Sequence, residues 1–294
     1  MIVLATGLSD GMLLFLVASG LTLILGVMRV VNFAHGGFFV VGAYVSYEFL
    51  RGQSRPIWLF VLLILAAALV TAAVGVASER VLFRRLYQLP VETSLLGTYA
   101  LLLILSGAVQ LVWGQNPRSQ SEPAALVTSF RLAGATIPRY DILVVAVGLV
   151  TVIGLHLLIR RTDWGRQLTA VAEDRFMAGL LGVNVNRVFA LTFGLGIALA
   201  GLGGGLAGPT LSLVPDVALT FIIQAFAVVI IGGFGSVAGS FVAALILGLV
   251  HSFLVTQAPW LADFSLYLVM ALVLVVRPRG LLGSRVAGAA GGAL

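Results

Sequence analysis

Asn32 and His35 are the two residues whose types and spacing most invite chemistry. They lie in Arg29-Val-Val-Asn32-Phe33-Ala34-His35-Gly36-Gly37, a polar and glycine-rich stretch. An amide and an imidazole three residues apart offer donors and acceptors to a small polar solute. The apolar run that follows, Phe38 to Val45, is too short to span a bilayer. In lipid a broken helix survives only where protein or a water-filled cavity surrounds it, and such breaks often mark transporter substrate sites. A plainer reading stands beside this one: Asn32 caps the next helix and His35 bonds locally.

Glycines crowd two further places. Gly194, Gly196, Gly201, Gly203, Gly204, Gly205 and Gly208 form one group, and Gly232, Gly233, Gly235 and Gly239 the other. The pairs Gly201/Gly205, Gly204/Gly208 and Gly235/Gly239 have the spacing that lets helices approach closely in lipid. Tight internal packing, a dimer face and a moving gate all satisfy that spacing. Gly232-Gly233-Phe234-Gly235 would also bend a helix beside a pathway.

A third stretch, from Arg160 to Arg187, carries Glu173, Asp174, Arg175, Ala178 and Gly182. Apolar residues at 168, 171, 172, 176, 180 and 181 fall on one helical face, and Gly182 with Asn184 reads as a stop. The spacing predicts a short amphipathic helix, resting either on lipid or in a groove of a partner protein.

Catalytic constellations do not appear. The chain has no cysteine, which excludes disulfides, thiolate metal sites and thiol nucleophiles. All 17 of its basic Lys+Arg residues are arginines, and a phosphate-binding loop requires lysine, so any ATP must be bound by another chain. No HExxH, GxSxG or paired-carboxylate pattern is present, and no metal site is expected. Glu48, Glu79, Glu92, Asp141 and Asp263 fall near the ends of apolar segments, which argues against proton or sodium coupling at mid-membrane. His156 and His251 also lie near segment ends and read as interfacial or packing residues.

The elements that must position these residues are helices in a membrane. Hydrophobic residues make up 60% of the chain and charged ones only 10%, with a mean hydropathy of +1.13. Such a chain is solvated mainly by lipid. Its net charge of +6 belongs to membrane topology rather than to nucleic acid, because no aromatic-basic surface motif accompanies it. Nine apolar segments are expected, near 8–28, 33–50, 57–78, 93–113, 141–159, 188–208, 219–233, 236–256 and 262–277. The second and seventh are short or glycine-broken and read as re-entrant or discontinuous. The N-terminus lacks a basic region and carries Asp10 early, so it reads as a retained first segment. The expectation is an all-α polytopic bundle of eight to nine segments. With the N-terminus outside, twelve arginines lie inside and five outside, which favours N-out, C-in. The outer connection at 114–140 holds Pro117, Pro123 and Pro138, which argue against a regular element there. The tail after Arg285 reads as disordered.

Three motifs in order resemble one family. VVNFAHGGFFVVGAY (30–44), AVAEDRFMAGLLGVNVNRV (170–188) and IIGGFGSVAGSFVAALILG (230–248) are similar to the LivH-type permeases, inner-membrane subunits of ABC importers for branched-chain amino acids. The resemblance covers nearly the whole chain, which would then be a single permease domain, 1–294. It implies a second related permease, two cytoplasmic ATPase subunits carrying ATP and Mg, and a periplasmic binding protein, all in or at the bacterial inner membrane. The loop near 160–187 would correspond to the coupling loop that docks on the ATPases. The importer signature there is Glu-Ala-Ala with a glycine four positions later. This chain departs from it, with Ala172-Glu173-Asp174 and a later Gly182. Relatives of the family also move urea, short amides or other amino acids. A rival reading is a stand-alone channel or facilitator.

Overall fold

The computed structural model describes residues 2–52, 55–87, 89–132 and 135–283; the expected inner Arg285 and the tail after it lie outside these. Helices run in the order α1 (Ile2–Met28), α2 (Ala34–Leu50), α3 (Ile57–Ser78), α4 (Arg84–Leu86), α5 (Val91–Trp113), α6 (Arg139–Arg161), α7 (Asp163–Glu173), α8 (Arg175–Leu180), α9 (Val185–Ala207), α10 (Val217–Gly232), α11 (Val237–Gln257), α12 (Pro259–Ala262) and α13 (Ser265–Val276). A π-helical turn, Glu79–Phe83, joins α3 to α4.

Each of the nine expected apolar segments is helical. Six helical stretches are long and apolar enough to cross a membrane: Val3–Met28, Ile57–Leu86, Val91–Trp113, Arg139–Arg161, Val185–Ala207 and Val237–Gln257. α10 and α13 are apolar but shorter. Their backbones satisfy the rule for lipid, since a helix pairs its N–H and C=O groups within its own segment.

Among the described residues one sheet departs from all-α. Strands β1 (Ser129–Leu132) and β2 (Ala135–Pro138) form an antiparallel hairpin inside the connection that was expected to be irregular. Pro138 sits at the end of the ladder, opposite Ser129, and leads into α6. A proline at the last position of an edge strand need not donate to the ladder, so it permits the hairpin.

α1 and α9 form the centre. Four-fifths or more of α1's apolar window is buried, 89%, and 72% of that of α9, against 17% for α6 and 22% for α5. They cross antiparallel with glycines at the contact. A side chain at Gly20 would run into the Gly196 carbonyl, and one at Gly204 into the Phe39 carbonyl of α2. The expected close approach is therefore realised inside the chain: Gly201 meets Ala68 and Thr71 of α3, and Gly205 meets Ile64 of α3 and Ser46 of α2.

Connections gather at two ends. At one, Arg29 Nη2 donates to Ala172 O at 3.2 Å, and the backbone N–H of Leu281 donates to Ile231 O at 2.8 Å. At the other, Trp113 Nε1 donates to Glu48 Oε2 at 3.0 Å, and Arg118 pairs with Leu213 through two backbone bonds. Among the described residues the first end carries arginines 29, 80, 84, 85, 160, 161, 166, 175, 187, 277 and 279; the second carries 51, 55, 118, 131 and 139.

Candidate functional site

α2 begins in the middle of the bundle. His35 Nε2 donates to the Val17 carbonyl at 2.8 Å. A carbonyl can only accept, so this bond fixes the proton on Nε2 and leaves Nδ1 as an acceptor. Val17 lies eleven residues before the end of α1, about 17 Å along the axis at ~1.5 Å per residue. The connection 29–33 thus climbs back along α1 before α2 starts. Arg29 makes the reversal, closing α1 at φ 54°, a left-handed conformation that costs a non-glycine about 1–2 kcal/mol. Thr98 of α5 holds the far side of the break: it accepts from Phe33 N and donates to Val31 O, both at 3.3 Å.

Asn32 and His35 are both fully buried. Asn32 does not cap α2 with its side chain; the N-cap position is Phe33, and neither Asn32 Oδ1 nor Nδ2 has a hydrogen-bond partner among the described residues. His35 Nδ1 is likewise unpartnered. Buried polar atoms without partners are rare enough to need a reason. Gly36 and Gly37 allow the close packing around them: a side chain at Gly36 would strike the Ala218 carbonyl of α10, and one at Gly37 would press on Leu105 of α5.

Gly232, Gly233 and Gly235 lie elsewhere, at the arginine-rich end. They form the turn between α10 and α11, with Gly233 at φ 99° and Gly235 at φ 75°. Leu281 N and Leu282 N donate to the carbonyls of Ile231 and Gly232, so the segment after α13 satisfies the end of α10. The Gly232–Gly235 group is therefore not brought together with Asn32 and His35, whereas Gly196 of the other group and His35 both pack against Gly20 of α1.

The expected single amphipathic helix is two helices. α7 and α8 meet at Asp174, whose extended backbone ends one and whose Oδ1 accepts from Phe176 N and Met177 N at 2.9 and 3.0 Å to cap the other. The break splits the predicted apolar face. Leu168 and Val171 of α7 are buried against the bundle, whereas Phe176, Met177, Leu180 and Leu181 are 72%, 51%, 67% and 79% exposed. Gly182 stops α8 as expected: it takes φ 86°, and Val183 N reaches back to Ala178 O at 3.0 Å. Asn184 belongs to the next helix, capping α9 through Arg187 N.

A cleft of ≈ 510 Å³ lies beneath this loop, between Met28–Val31, the residues Leu86, Tyr87, Leu89, Val91 and Ser94, and Val171–Phe176. Glu79 is buried behind it, held by Arg84 Nε at 3.4 Å and by the Tyr87 hydroxyl at 3.5 Å. Burial, reinforced by the Glu79 carboxylate, pushes the Tyr87 phenol far above its usual range, so it remains a donor.

A second cleft, ≈ 220 Å³, opens between α1, α10, α11 and α13 and contains Asp10 and His251. Sequence reasoning passed over Asp10 because it placed the first segment at 8–28. The helix starts at Ile2, which puts Asp10 two turns inside it.

A family model described as branched-chain amino acid transport system / permease component matches residues 3–276. The chain belongs to this permease family. The permease is 31% identical to the high-affinity branched-chain amino acid transport system permease protein BraD of Pseudomonas aeruginosa, over 95% of this chain and 94% of that one. It is 31% identical to LivH of Escherichia coli, covering 94% and 93%. It is also 26% identical to LivM of the same organism, covering 92% and 68%, and both are named as permease proteins of the high-affinity branched-chain amino acid transport system. Among solved structures the permease shares its fold with a chain of PsaBC from Streptococcus pneumoniae in complex with Fab, with a TM-score of 0.50 and 14% identity over 92% and 89% of the two chains.

Proposed function

We propose that this permease is the membrane-spanning subunit of an ABC importer for branched-chain or related amino acids. Its family membership and near full-length likeness to BraD and LivH support the reading. It works in the bacterial inner membrane with its N-terminus outside and its C-terminus inside. The arginine-rich end, eleven described arginines against five, is the cytoplasmic one. On that orientation α1, α2, α3, α5, α6, α9, α10, α11 and α13 make nine alternating passes, with α2 and α10 partial.

The exposed apolar cluster on α8 carries the assignment of a partner. Four large apolar side chains exposed within six residues at the arginine-rich end are costly unless another surface covers them. We assign that surface to an ATPase subunit, with Glu173, Asp174 and Arg175 at the rim and Ala178 and Gly182 shaping the helix. ATP and Mg are bound by that subunit, and this chain has no catalytic step of its own. A second permease completes the pathway, as the kinship with both LivH and LivM suggests, and a periplasmic binding protein delivers substrate at the arginine-poor end.

Asn32, His35, Gly36 and Gly37 form the mid-depth break of the pathway, and the Gly232–Gly235 turn is its inner hinge. In the present arrangement α1, α5 and α10 cover the break, so its unpaired amide and imidazole meet substrate only when the bundle opens. Uptake of radiolabelled leucine by the reconstituted complex tests the reading. Strong uptake that needs ATP and both ATPase subunits is expected. ATP-independent uptake by this chain alone would overturn it in favour of a facilitator. Wild-type uptake by Asn32→Ala and His35→Ala complexes would remove those two residues from the pathway.

A further inference from the structure

Asp10 is an ionisable side chain in an apolar helix, and it is exposed on the surface of the chain. It lies eight residues from the start of α1, about 12 Å into the bundle at ~1.5 Å per residue. A carboxylate at that depth is expensive against lipid and belongs at a water-filled cavity. Asp10 lines the ≈ 220 Å³ cleft with Thr210, Gln224, His251 and Ser265. One of these comes from a non-helical stretch: the chain between α9 and α10 reaches α10 without regular structure, and its Thr210 and Leu211 form one wall. Irregular backbone at membrane depth is tolerated where it is buried in protein or lines a cavity.

The polar groups are arranged for one kind of ligand. His251 Nδ1 faces the Ala262 carbonyl at 3.3 Å and the Ser265 hydroxyl at 3.2 Å. The carbonyl requires Nδ1 to be the donor, so Nε2 accepts when the ring carries that one proton. Asp10 and His251 are within electrostatic range of each other, with Asp141 of α6 the other charged group near Asp10. An excess of acceptors at one side of the cleft calls for a cationic donor. The Gln224 amide and the Ser265 hydroxyl offer donors for an anionic group. The remaining walls are Leu13, Leu14, Phe221, Leu247 and Leu266, suited to an aliphatic side chain. The volume lies below the ~300–1,000 Å³ typical of drug-sized ligands.

We propose that this cleft is a subsite for a free aliphatic α-amino acid, its ammonium between Asp10 and His251 and its side chain among the leucines. The proposal rests on the importer reading and names where substrate first touches this subunit. The subsite stands apart from Asn32 and His35, because Phe221 lies stacked on Phe39 of α2, with ring centroids 3.9 Å apart, between cleft and break.

The absence of cysteine makes a direct test possible, since one introduced thiol is unique in this chain. Thr210→Cys is exposed at the cleft, and its labelling by a membrane-impermeant thiol reagent would be read by mass on this chain in the assembled importer. Leucine should slow labelling about tenfold, as should isoamylamine, whereas 4-methylpentanoate, which lacks the ammonium, should not. Asp10→Asn should abolish the protection and lower leucine uptake by about tenfold in a normally assembled complex, with Asp10→Glu restoring part of both. Labelling indifferent to leucine, in an importer that takes up leucine, would overturn the subsite alone. A wild-type complex that takes up no branched-chain amino acid would overturn the importer reading, and the subsite with it.

Discussion

Gly204 has no side chain because the Phe39 carbonyl of α2 occupies the place of one. The contact is backbone to backbone, so neither partner can turn aside, and the cost of added volume falls on the helix crossing itself. Gly204→Val should destabilise the bundle by about 3 kcal/mol or more, the upper range for overpacking a tight core. Thermal unfolding of the purified protein in detergent would show it as a lowered Tm, and Gly107→Ala, with open space at its Cβ position, as an unchanged one. Thr22 and Ser240 illustrate the complementary case. Their hydroxyls meet at 2.6 Å across α1 and α11, and Thr22 also donates to Ala18 O at 2.7 Å. Small polar residues join helices where lipid offers no hydrophobic drive to do so.

α7 and α8 show how one residue redirects an element. Asp174 interrupts the predicted amphipathic helix, and its side chain then begins the next one. Removing that cap with Asp174→Ala should cost about 1 kcal/mol and loosen α8. The sharper experiment acts on the exposed face. Phe176→Asp with Leu181→Asp should abolish co-purification of the ATPase subunits while Tm holds, because neither side chain is buried in this chain. Charge reversal at Glu173 and Asp174 should weaken the same association; an unchanged yield of ATPase in both variants would show that the loop does not dock there. Gly182→Val forces a β-branched residue to φ 86° and should lower association as well, through α8 rather than through contact.

The whole molecule is two ends joined by a tightly packed centre. The proposed orientation makes opposite expectations for single thiols at those ends. Ser121→Cys, in the connection that carries the hairpin, should react with an impermeant reagent added to intact spheroplasts. Arg166→Cys, exposed on α7, should react only after the membrane is opened. The reverse pattern would invert the subunit and place α8 away from any cytoplasmic ATPase.

Hydropathy alone located the six helical stretches long and apolar enough to cross a membrane, because exclusion of charge from lipid is a local demand that each segment meets by itself. The stop at Gly182 was equally legible, since a left-handed turn is set by one residue's own backbone. Other features needed the fold. Asn32 was a natural cap by type, yet α2 starts at Ala34 with Phe33 as its N-cap, Thr98 across the break takes the Phe33 N–H, and the Asn32 amide stays buried and unpaired among the described residues. Asp10 looked terminal because the first helix was begun six residues late, and its importance came from His251 and Gln224, more than 200 positions away in the chain. The amphipathic period at 168–181 was read as one helix, but it breaks at Asp174, and the pattern alone does not say that its first half packs inward and its second half faces out. Sequence determined which segments leave water, for that is a property of each stretch; tertiary structure decided which polar groups meet, because distant helices choose their neighbours through glycine-sized contacts that no local pattern records.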